Sequence, residues 1–333
     1  MTTDDANGGA DEAEGLTYAE TGVDIEASED ATAALLEAFG SGMKTEYAGL
    51  LDIGDRYLAL ATDGVGTKLL VAEAVEDFST IGIDCIAMNV NDLVAAGVEP
   101  VAFVDYLAID EPDDDLTAEI GEGLAVALEE ANLTLLGGET AVMPEVINGF
   151  DLAGTCAGLA LKDEILENEA DVGDVLVGFH SNGIHSNGLT LAREAVTRNH
   201  DYDDPFPLDP EVTIGEELLR PTRLYTYLLE SIHRYDVHAA AHVTGGGWTN
   251  LLRMGERKYV IESPLPAHPI FEFIAAEGDV SDEEMHRTFN MGTGFVVVLA
   301  ETEAEALLEE TDGELIGRVE EGDSVEIRGL SLT

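Results

Sequence analysis

Basic side chains are scarce in this sequence. Its 333 residues include 15 lysines and arginines against 69 aspartates and glutamates, a formal net charge of −54. Without a basic stripe to contact phosphates, the sequence predicts no nucleic-acid partner. Only Lys44, Lys68, Lys162 and Lys258 are lysines, so each lysine that this acidic chain retains is informative. The acids are spread along the chain, a pattern typical of proteins from a salt-rich cytoplasm.

Cysteine pairs and long apolar runs are also missing. Cys85 and Cys156 stand apart with no Cys-x-x-Cys spacing, which argues against a zinc motif and a disulfide framework. The longest clear apolar run spans Phe295 to Ala300, far short of the roughly 20 residues that a membrane-spanning helix needs. No positively charged leader precedes a hydrophobic stretch. The sequence therefore predicts a soluble, cytoplasmic protein with no membrane partner.

Length and composition indicate two globular domains. Hydrophobic residues make up 45% of the sequence, as in globular proteins. Residues 1–15 are acidic and aperiodic, which predicts a disordered tail. The polar stretch from Lys162 to Glu169 is the best boundary, and it divides the remainder into residues 16–163 and 164–333. Strands, hairpins and helices in mixed order predict an α+β fold, and no Gly-x-Gly-x-x-Gly follows the first strand, which argues against a dinucleotide-binding domain.

The run Asp63-Gly64-Val65-Gly66-Thr67-Lys68 follows a predicted hairpin over residues 47–61. It places an acid, two glycines, a hydroxyl and a lysine between apolar stretches. Glycines let the backbone approach a ligand, an acid can hold a cation, and N–H groups with a lysine can hold phosphate oxygens. The order differs from that of a Walker A loop. The run fits either a polyphosphate with its metal or a turn with a surface lysine.

A helix is predicted from Ile81 to a Gly97 cap, because apolar residues recur with helical spacing. Asp84, Asn91 and Asp92 interrupt its apolar side. Asp84 and Asn91 are seven residues apart and therefore share one helix face. Helices seldom bury such groups without a partner or a ligand, and surface placement is the alternative.

Three further strand ends carry glycines and small polar side chains. They are Gly137 to Pro144, His180 to Gly188, and Thr244 to Gly247, the last preceded by His242. A loop of this kind before a helix can bind an anion, and a histidine there can transfer a proton near neutral pH. Ordinary capped turns are the alternative.

Four expectations concern secondary structure alone. Leu133 to Leu136 is predicted as a short strand that ends before two glycines. Residues 199–215 are predicted as a loop, and Glu216 to Tyr235 as one long helix kinked by Pro221. A helix is also predicted from Glu29 to Phe39.

Taken together, these stretches resemble the phosphoribosylformylglycinamidine cyclo-ligase (AIR synthetase) family. The similar segments follow the family's order over about residues 16–320, and the ordered set is specific. They are Tyr18 to Asp24, Asp63 to Lys68, Ile81 to Leu93, Gly137 to Pro144, His185 to Gly188, Arg220 to Arg223, His242 to Gly247 and His286 to Asn290.

The resemblance implies a fold and a reaction. The N-terminal domain would contribute strands to a β-barrel shared across a homodimer, and the C-terminal domain would be α/β with a mixed sheet and flanking helices. The enzyme would use ATP and Mg²⁺ to close formylglycinamidine ribonucleotide (FGAM) to aminoimidazole ribonucleotide (AIR), with release of ADP and phosphate, in purine biosynthesis. The γ-phosphoryl group would make the formyl oxygen a leaving group, and a ring nitrogen would then attack that carbon.

The resemblance also implies roles for individual residues. The metal ligands would be Asp63, Asp84 and Asp92. Nucleotide contacts would come from Asp63, Gly64, Gly66, Thr67, Lys68, Asn91, Asp92, Gly138 and Glu139. Substrate contacts would come from Ser186, Asn187, Gly188, Thr244, Gly245, Gly246 and Gly247. The catalytic candidates would be Lys68, His185 and His242, the two histidines for proton transfer.

One departure from the family pattern concerns the cover over ATP. Many members carry a segment of the Gly-Gly-Phe-Gly kind before the Asp63 run, whereas Tyr47 to Asp55 lacks such a cluster. Thiamine-monophosphate kinase, selenophosphate synthetase and FGAM synthetase share an acidic ATP site, and they form the first alternative. A non-catalytic nucleotide-binding or dimerisation module is the second. The segments at His185, Arg220 and Thr244 favour the cyclo-ligase.

Overall fold

The computed structural model describes residues 15–19, 21–22, 33–34 and 47–333. The predicted tail lies outside them except for Gly15, and so does the predicted helix from Glu29 to Phe39 except for residues 33 and 34, which are helical. In this part of the chain, no helix is long and apolar enough to cross a membrane.

The first half of the described chain is an open sheet with helices on one face. Its strand order is β1-β2-β5-β3-β4, with β3 and β4 parallel and the other neighbours antiparallel. The strands are β1 (Gly49–Asp52), β2 (Arg56–Gly64), β3 (Glu99–Ile109), β4 (Thr134–Val142) and β5 (Phe150–Leu161). The helices are α1 (Leu69–Val75), α2 (Ile81–Ala95) and α3 (Asp114–Glu130), and a 3-10 turn covers Gly66–Lys68. Within the described residues no sheet closes into a barrel.

The second half contains a mixed seven-stranded sheet in the order β14-β13-β10-β12-β6-β11-β9, and a two-stranded ribbon of β7 and β8. The strands are β6 (Val175–His180), β7 (Pro205–Phe206), β8 (Asp209–Thr213), β9 (Val237–His242), β10 (Lys258–Ile261), β11 (Thr293–Leu299), β12 (Glu314–Glu320), β13 (Ser324–Ile327) and β14 (Leu330–Leu332). The helices are α4 (Leu189–Thr197), α5 (Ile214–Leu218), α6 (Leu229–Arg234), α7 (Pro269–Gly278), α8 (Asp282–Thr288) and α9 (Glu301–Glu310), with 3-10 helices at Thr226–Leu228 and Gly247–Met254.

Helix α2 is the element that both sheets contact. It packs on β2, β3 and β5 of the first sheet and on β9 of the second. All of its residues except Ile83 and Asp92 are buried. The helix is therefore surrounded by protein on nearly every side, whereas a surface helix buries only one apolar stripe. Its crossing with α3 is close at Gly82, where a Cβ atom would lie 2.2 Å from the Leu124 backbone nitrogen.

The predicted hairpin and the predicted helix from Ile81 are confirmed as β1–β2 and α2. Two other predictions are wrong. The short strand from Leu133 extends to Val142, because its two glycines pair with β3 and form no turn. Residues 199–215 are more than a loop, since they contain β7, β8 and the start of α5.

The predicted long helix from Glu216 to Tyr235 is also wrong. Residues 220–225 separate α5 from the next 3-10 turn. Pro221 lacks an N–H and disfavours helical geometry in the residue before it. The backbone groups of this stretch are bound instead by buried side chains of other elements, including Asp84 and Asn91.

Candidate active site

Asp63 lies at the end of β2 beside helix α2. Its Oδ1 accepts the Gly64 N–H at 2.8 Å, and Asn89 of α2 donates to its backbone carbonyl at 3.2 Å. Burial and the negative charge of Asp92 raise the pKa of Asp63 to about 6, although the Gly64 N–H and the neighbouring His242 oppose the shift. Two carboxylates therefore repel each other in a poorly hydrated region, an arrangement that a cation would relieve.

Asp92 links the end of α2 to His242 at the end of β9. His242 Nδ1 donates to Asp92 Oδ1 at 3.0 Å, and Nε2 lies 3.4 Å from Asn91 Nδ2. Because a carboxylate can only accept, Nδ1 carries the proton and Nε2 is the acceptor. The imidazole has zero exposure, whereas the Asp92 side chain is 24% exposed. The structure thus joins predicted site residues from the two halves of the chain.

Lys68 and Asp84 form an ion pair sealed from solvent. Nζ lies 2.7 Å from Asp84 Oδ2, and both side chains have zero exposure. Lys68 also donates to the Arg220 carbonyl oxygen at 2.7 Å, while Asp84 Oδ1 accepts the N–H and hydroxyl of Thr222 at 2.7 and 2.6 Å. Burial lowers the pKa of Lys68, and the charge of Asp84 opposes this. These two residues therefore have protein partners where the resemblance implies a phosphate and a metal.

The loop from His185 to Gly188 connects β6 to α4. His185 is fully buried with φ of 62°, and its Nε2 accepts the N–H groups of Asn182 at 3.1 Å and Arg223 at 3.5 Å. The proton therefore sits on Nδ1. Burial, together with nearby positive groups such as Lys68 and Arg223, holds the pKa of His185 well below its usual range. His185 is accordingly a neutral imidazole, with no free lone pair for a general base.

The predicted substrate loops lie next to each other. Ser186 Oγ is 3.4 Å from Thr222 Oγ1, and a Cβ atom on Gly245 would lie 3.3 Å from Asn187 Oδ1. Gly188 takes φ of 72° at the start of α4. The structure therefore brings the two loops to one side of the site.

The triple glycine has a packing explanation at one position. Gly247 has φ of 51°, and a Cβ atom there would lie 2.3 Å from the His286 carbonyl oxygen. Thr244 N donates to Asn250 Oδ1 at 2.7 Å, which fixes the start of the loop. Gly245 and Gly246 are partly exposed, so a ligand can reach the middle of the loop.

Four other residues were predicted to contact the nucleotide. Gly66 and Thr67 follow β2 in the chain, and Gly138 and Glu139 lie on β4. Gly66 has φ of 72° with no described atom within 4 Å of its Cβ position, so its backbone is open to a ligand. The Thr67 hydroxyl already has a partner on α4, because its Oγ1 lies 2.9 Å from Thr190 Oγ1. Glu139 is exposed and pairs with Tyr106 on β3, whereas Gly138 pairs with Asp105. Successive strand residues face opposite sides, so Glu139 lies on the sheet face opposite Asp63.

Asp63 and Asp92 are the acids that best fit a magnesium ion. Among the residues that the structure describes, no group of three or more His, Cys, Asp and Glu side chains is arranged to hold a metal. Mg²⁺ usually needs only one or two carboxylates, because water and substrate phosphates complete its octahedron. The raised pKa of Asp63 beside Asp92 is consistent with such a pair.

The sequence gives a weak signal for one further residue of the site, Asp105, and no signal for another, Thr222. Asp105 lies in register with Gly154, which is in register with Asp63, so the two acids share one sheet face. Burial raises the pKa of Asp105, and Gly138 leaves it room, since a Cβ atom there would lie 2.2 Å from its Oδ1. An acid inside an apolar strand was the available signal. No sequence signal identifies Thr222 as the partner of Asp84.

Models of two related domains match the chain. The model described as AIR synthase related protein, N-terminal domain, matches residues 45–160, and AIR synthase related protein, C-terminal domain, matches residues 171–329. The solved structure of AaThiL complexed with AMPPCP and TMP has a TM-score of 0.68 at 18% identity and covers 93% of this chain and 96% of its own, which shows a shared fold.

Curated relatives match at much higher identity. The phosphoribosylformylglycinamidine cyclo-ligase of Methanococcoides burtonii is 47% identical, with 95% of this chain and 98% of its own covered. The enzyme of the same name from Methanosarcina barkeri is 48% identical, with coverage of 92% and 95%. Similarity at this level extends through both sheets and the residues that join them. The chain belongs to the phosphoribosylformylglycinamidine cyclo-ligase family.

Proposed function

We infer that the protein closes FGAM to AIR at the expense of ATP, with release of ADP and phosphate, in de novo purine biosynthesis. The observation that carries this inference is the 47% identity to a phosphoribosylformylglycinamidine cyclo-ligase over 95% of the chain. The hydrogen bond of 3.0 Å between Asp92 and His242 supports it, because it joins acids of the first half to a proton-transfer group of the second.

In the proposed reaction, the γ-phosphoryl group of ATP moves to the formyl oxygen of FGAM, and ADP leaves. A nitrogen of the substrate then attacks the formyl carbon, the carbon–oxygen bond breaks and phosphate departs. Bound Mg²⁺ would neutralise phosphate charge during the transfer. Asp63 and Asp92 would hold this ion, and the open backbone at Gly66 would admit a phosphate.

Proton transfer and substrate binding would come mainly from the second half. His242 would accept at Nε2 the proton that the attacking nitrogen loses, because Asp92 orients the imidazole and the contact of 3.4 Å between Nε2 and Asn91 is long enough for the substrate to replace it. Ser186, Asn187 and the exposed part of the Thr244–Gly247 loop would bind FGAM. The N-terminus of α4 favours a negative group beside Gly188.

We also propose that the protein is a homodimer whose first sheets combine in a β-barrel. The sheet face turned away from α2 carries exposed apolar side chains, including Leu60, Val104 and Tyr106, which are 40–48% exposed. Exposed apolar patches of this kind indicate an interface. Among the described residues, β1 and β4 are the edge strands of the sheet, and a second copy would cover them.

The acidic surface would be an adaptation to high salt. With 69 acids and 15 bases, the folded chain repels itself, and concentrated counter-ions relieve this repulsion.

The purified protein should be assayed with ATP and Mg²⁺ against two substrates, FGAM and thiamine monophosphate. We expect AIR, ADP and phosphate in equal amounts with FGAM, measured by mass spectrometry and phosphate release. Formation of ADP and thiamine diphosphate from thiamine monophosphate, without turnover of FGAM, would assign the chain to the kinase activity. ATP binding without turnover of either substrate would support a non-catalytic module.

A further inference from the structure

Residues 220–225, here called the 220–225 segment, pass between the two halves of the protein. The segment follows α5 and leads into the 3-10 turn Thr226–Leu228. Side chains of the first half bind its backbone at four positions: the carbonyl of Arg220, the N–H of Thr222, the carbonyl of Arg223 and the N–H of Tyr225. Each of these contacts is 2.7–2.9 Å long. The segment is therefore held at several points along its length.

The inner end of the segment is held by charge. Lys68 binds the Arg220 carbonyl, and Asp84 accepts both the N–H and the hydroxyl of Thr222. The two charges neutralise each other at 2.7 Å, with both side chains fully buried. A buried ion pair depends on further hydrogen bonds to its donors and acceptors, and here the 220–225 segment gives Lys68 one acceptor and Asp84 two donors.

The outer end is held by the turn between α9 and β12. Asp312 Oδ2 is 2.6 Å from Arg223 Nη2, and its Oδ1 accepts the hydroxyl of Tyr227 at 2.8 Å. The Arg223 guanidinium lies over the rings of Tyr225 and Tyr227, 5.6 and 5.2 Å from their centroids. The segment is thus fixed at both ends, with different chemistry at each.

The segment also contacts polar side chains of the candidate site. Asn91, which binds the Arg223 carbonyl and the Tyr225 N–H, also contacts His242. His185 accepts the Arg223 N–H. A shift of the segment would therefore move Asn91 and His185 together, and with Asn91 the imidazole of His242.

We propose that Lys68 and Asp84 are positioning residues, which hold the 220–225 segment so that Asn91 and His242 meet Asp92 in the geometry the reaction needs. Neither residue would contact phosphate or metal. This inference rests on the proposed cyclo-ligase function for its rate measurement, and it departs from the roles that the family resemblance implies for Lys68 and Asp84.

The test separates ligand binding from turnover. Asp84→Asn keeps the shape of the side chain but removes its charge, so the 220–225 segment should lose its fixed position. We expect kcat to fall at least 10-fold, while the Kd for ATP and the Mg²⁺ concentration for half-maximal binding, both measured by calorimetry, stay within 3-fold of the original values. A 10-fold rise in either binding value would overturn the proposal, and so would an unchanged kcat.

Thr222→Val is the second variant, for the case that Asp84→Asn does not fold. It removes one donor to Asp84 and leaves both charges in place. We expect kcat to fall about 3- to 10-fold with unchanged ATP affinity and an unchanged Tm. Thr197→Val is the matched control, because the Thr197 hydroxyl also donates a hydrogen bond, but to the Arg193 backbone carbonyl on the exposed side of α4. Equal effects of the two threonine variants would contradict the proposal.

Amide hydrogen exchange gives a readout that is independent of FGAM. In Thr222→Val, the amides of residues 222–225 should exchange at least 10-fold faster, and those of α4 should not change. Unchanged exchange in the segment would overturn the proposal. A wild-type protein that binds ATP but does not convert FGAM would instead contradict the proposed function.

Discussion

Asp63 and Asp92 are held close together by the fold. Asp63 is fixed by the Gly64 N–H at the end of β2, and Asp92 by His242. Burial and the charge of Asp92 raise the pKa of Asp63 to about 6. In the ionised protein, their repulsion lowers stability, and binding of a divalent cation would recover it.

Asp63→Asn should abolish turnover, with a loss of about 100-fold or more, the scale expected when a group that stabilises transferred charge is removed. The dimer should stay intact, which sedimentation velocity would check. Asp55→Asn, on the exposed hairpin turn, is the matched control. Near-normal activity of Asp63→Asn would move the metal role to another acid.

The same residue predicts a pH effect on stability. The pKa of Asp63 is raised in the folded state, so its contribution is favourable below the unfolded value near 4 and is lost as pH rises through about 6. Without divalent cations, we therefore expect Asp63→Asn to melt at a higher temperature than the original protein at pH 8, with a smaller difference at pH 4.5. A difference of the same size at both pH values would argue against repulsion at this site.

His238 offers a pH test away from the site. Its Nδ1 lies 2.7 Å from Asp174 and its Nε2 lies 3.5 Å from Asp236. Burial works against protonation, but the hydrogen bond with Asp174 and the two negative charges raise the pKa of His238 overall. The stabilisation is complete below pH 6.5 and disappears as pH rises through the folded pKa. His238→Gln should lower stability at pH 6 by up to about 1 kcal/mol and have little effect at pH 9. Equal losses at both pH values would contradict this.

Individual site residues could be predicted where a charged or polar side chain stands beside glycines or inside an apolar stretch. Asp63, Asp92 and His242 were identified because they stand beside glycines or inside apolar runs, and the structure brings them together. The partners of Lys68 were not predictable, since it binds a backbone carbonyl 152 positions away, and any residue could supply such a carbonyl. A buried lysine and a phosphate-binding lysine look the same in the sequence.

Among the secondary-structure elements, the 220–225 segment is a place where apolar spacing predicts the wrong structure. Apolar spacing from Glu216 to Tyr235 is helical, and a kinked helix was the natural prediction. The structure interrupts that helix because Asp84, Asn91 and Lys68 offer the backbone better partners than it would find within a helix. Hairpin β1–β2 and helix α2 were predictable because their patterns are complete within one stretch. Strands β13 and β14 were missed because they are four and three residues long.

Strand β4 is the element in which a substitution should weaken the proposed dimer. Leu136 is 71% exposed at a register shift between β3 and β4, where an additional residue bulges from the strand. Leu136→Glu should leave the folded monomer intact, because the side chain has few contacts there, but it should weaken self-association. Sedimentation velocity should show a shift from dimer to monomer.

Leu208→Glu is the control for that change, because Leu208 is also an exposed leucine, at 51%, but lies in the second half of the chain. If both variants remain dimers, the interface lies elsewhere than on the first sheet.

For the whole molecule, the net charge of −54 is the dominant property. The screening length is about 10 Å at 0.1 M salt and about 3 Å at 1 M, so repulsion among surface acids should decrease steeply over this range. Tm and activity should therefore both rise between 0.1 and 2 M KCl. NaCl at the same ionic strength should have a similar effect, because screening depends on ionic strength. A melting temperature that stays constant across this range would refute the proposed adaptation.

The contact between Asp84 and Thr222 spans 138 positions of the sequence, and this has a consequence for the order of folding. The first half leaves the ribosome while residues 220–225 are still unmade, so Lys68, Asp84 and Asn91 then lack the hydrogen-bond partners that this segment supplies. Unpaired polar groups resist burial, and we expect α2 to remain loosely packed until the segment emerges. Final closure of the core would therefore wait for a short stretch made late in translation, and a chain interrupted before residue 220 would be a ready target for proteases.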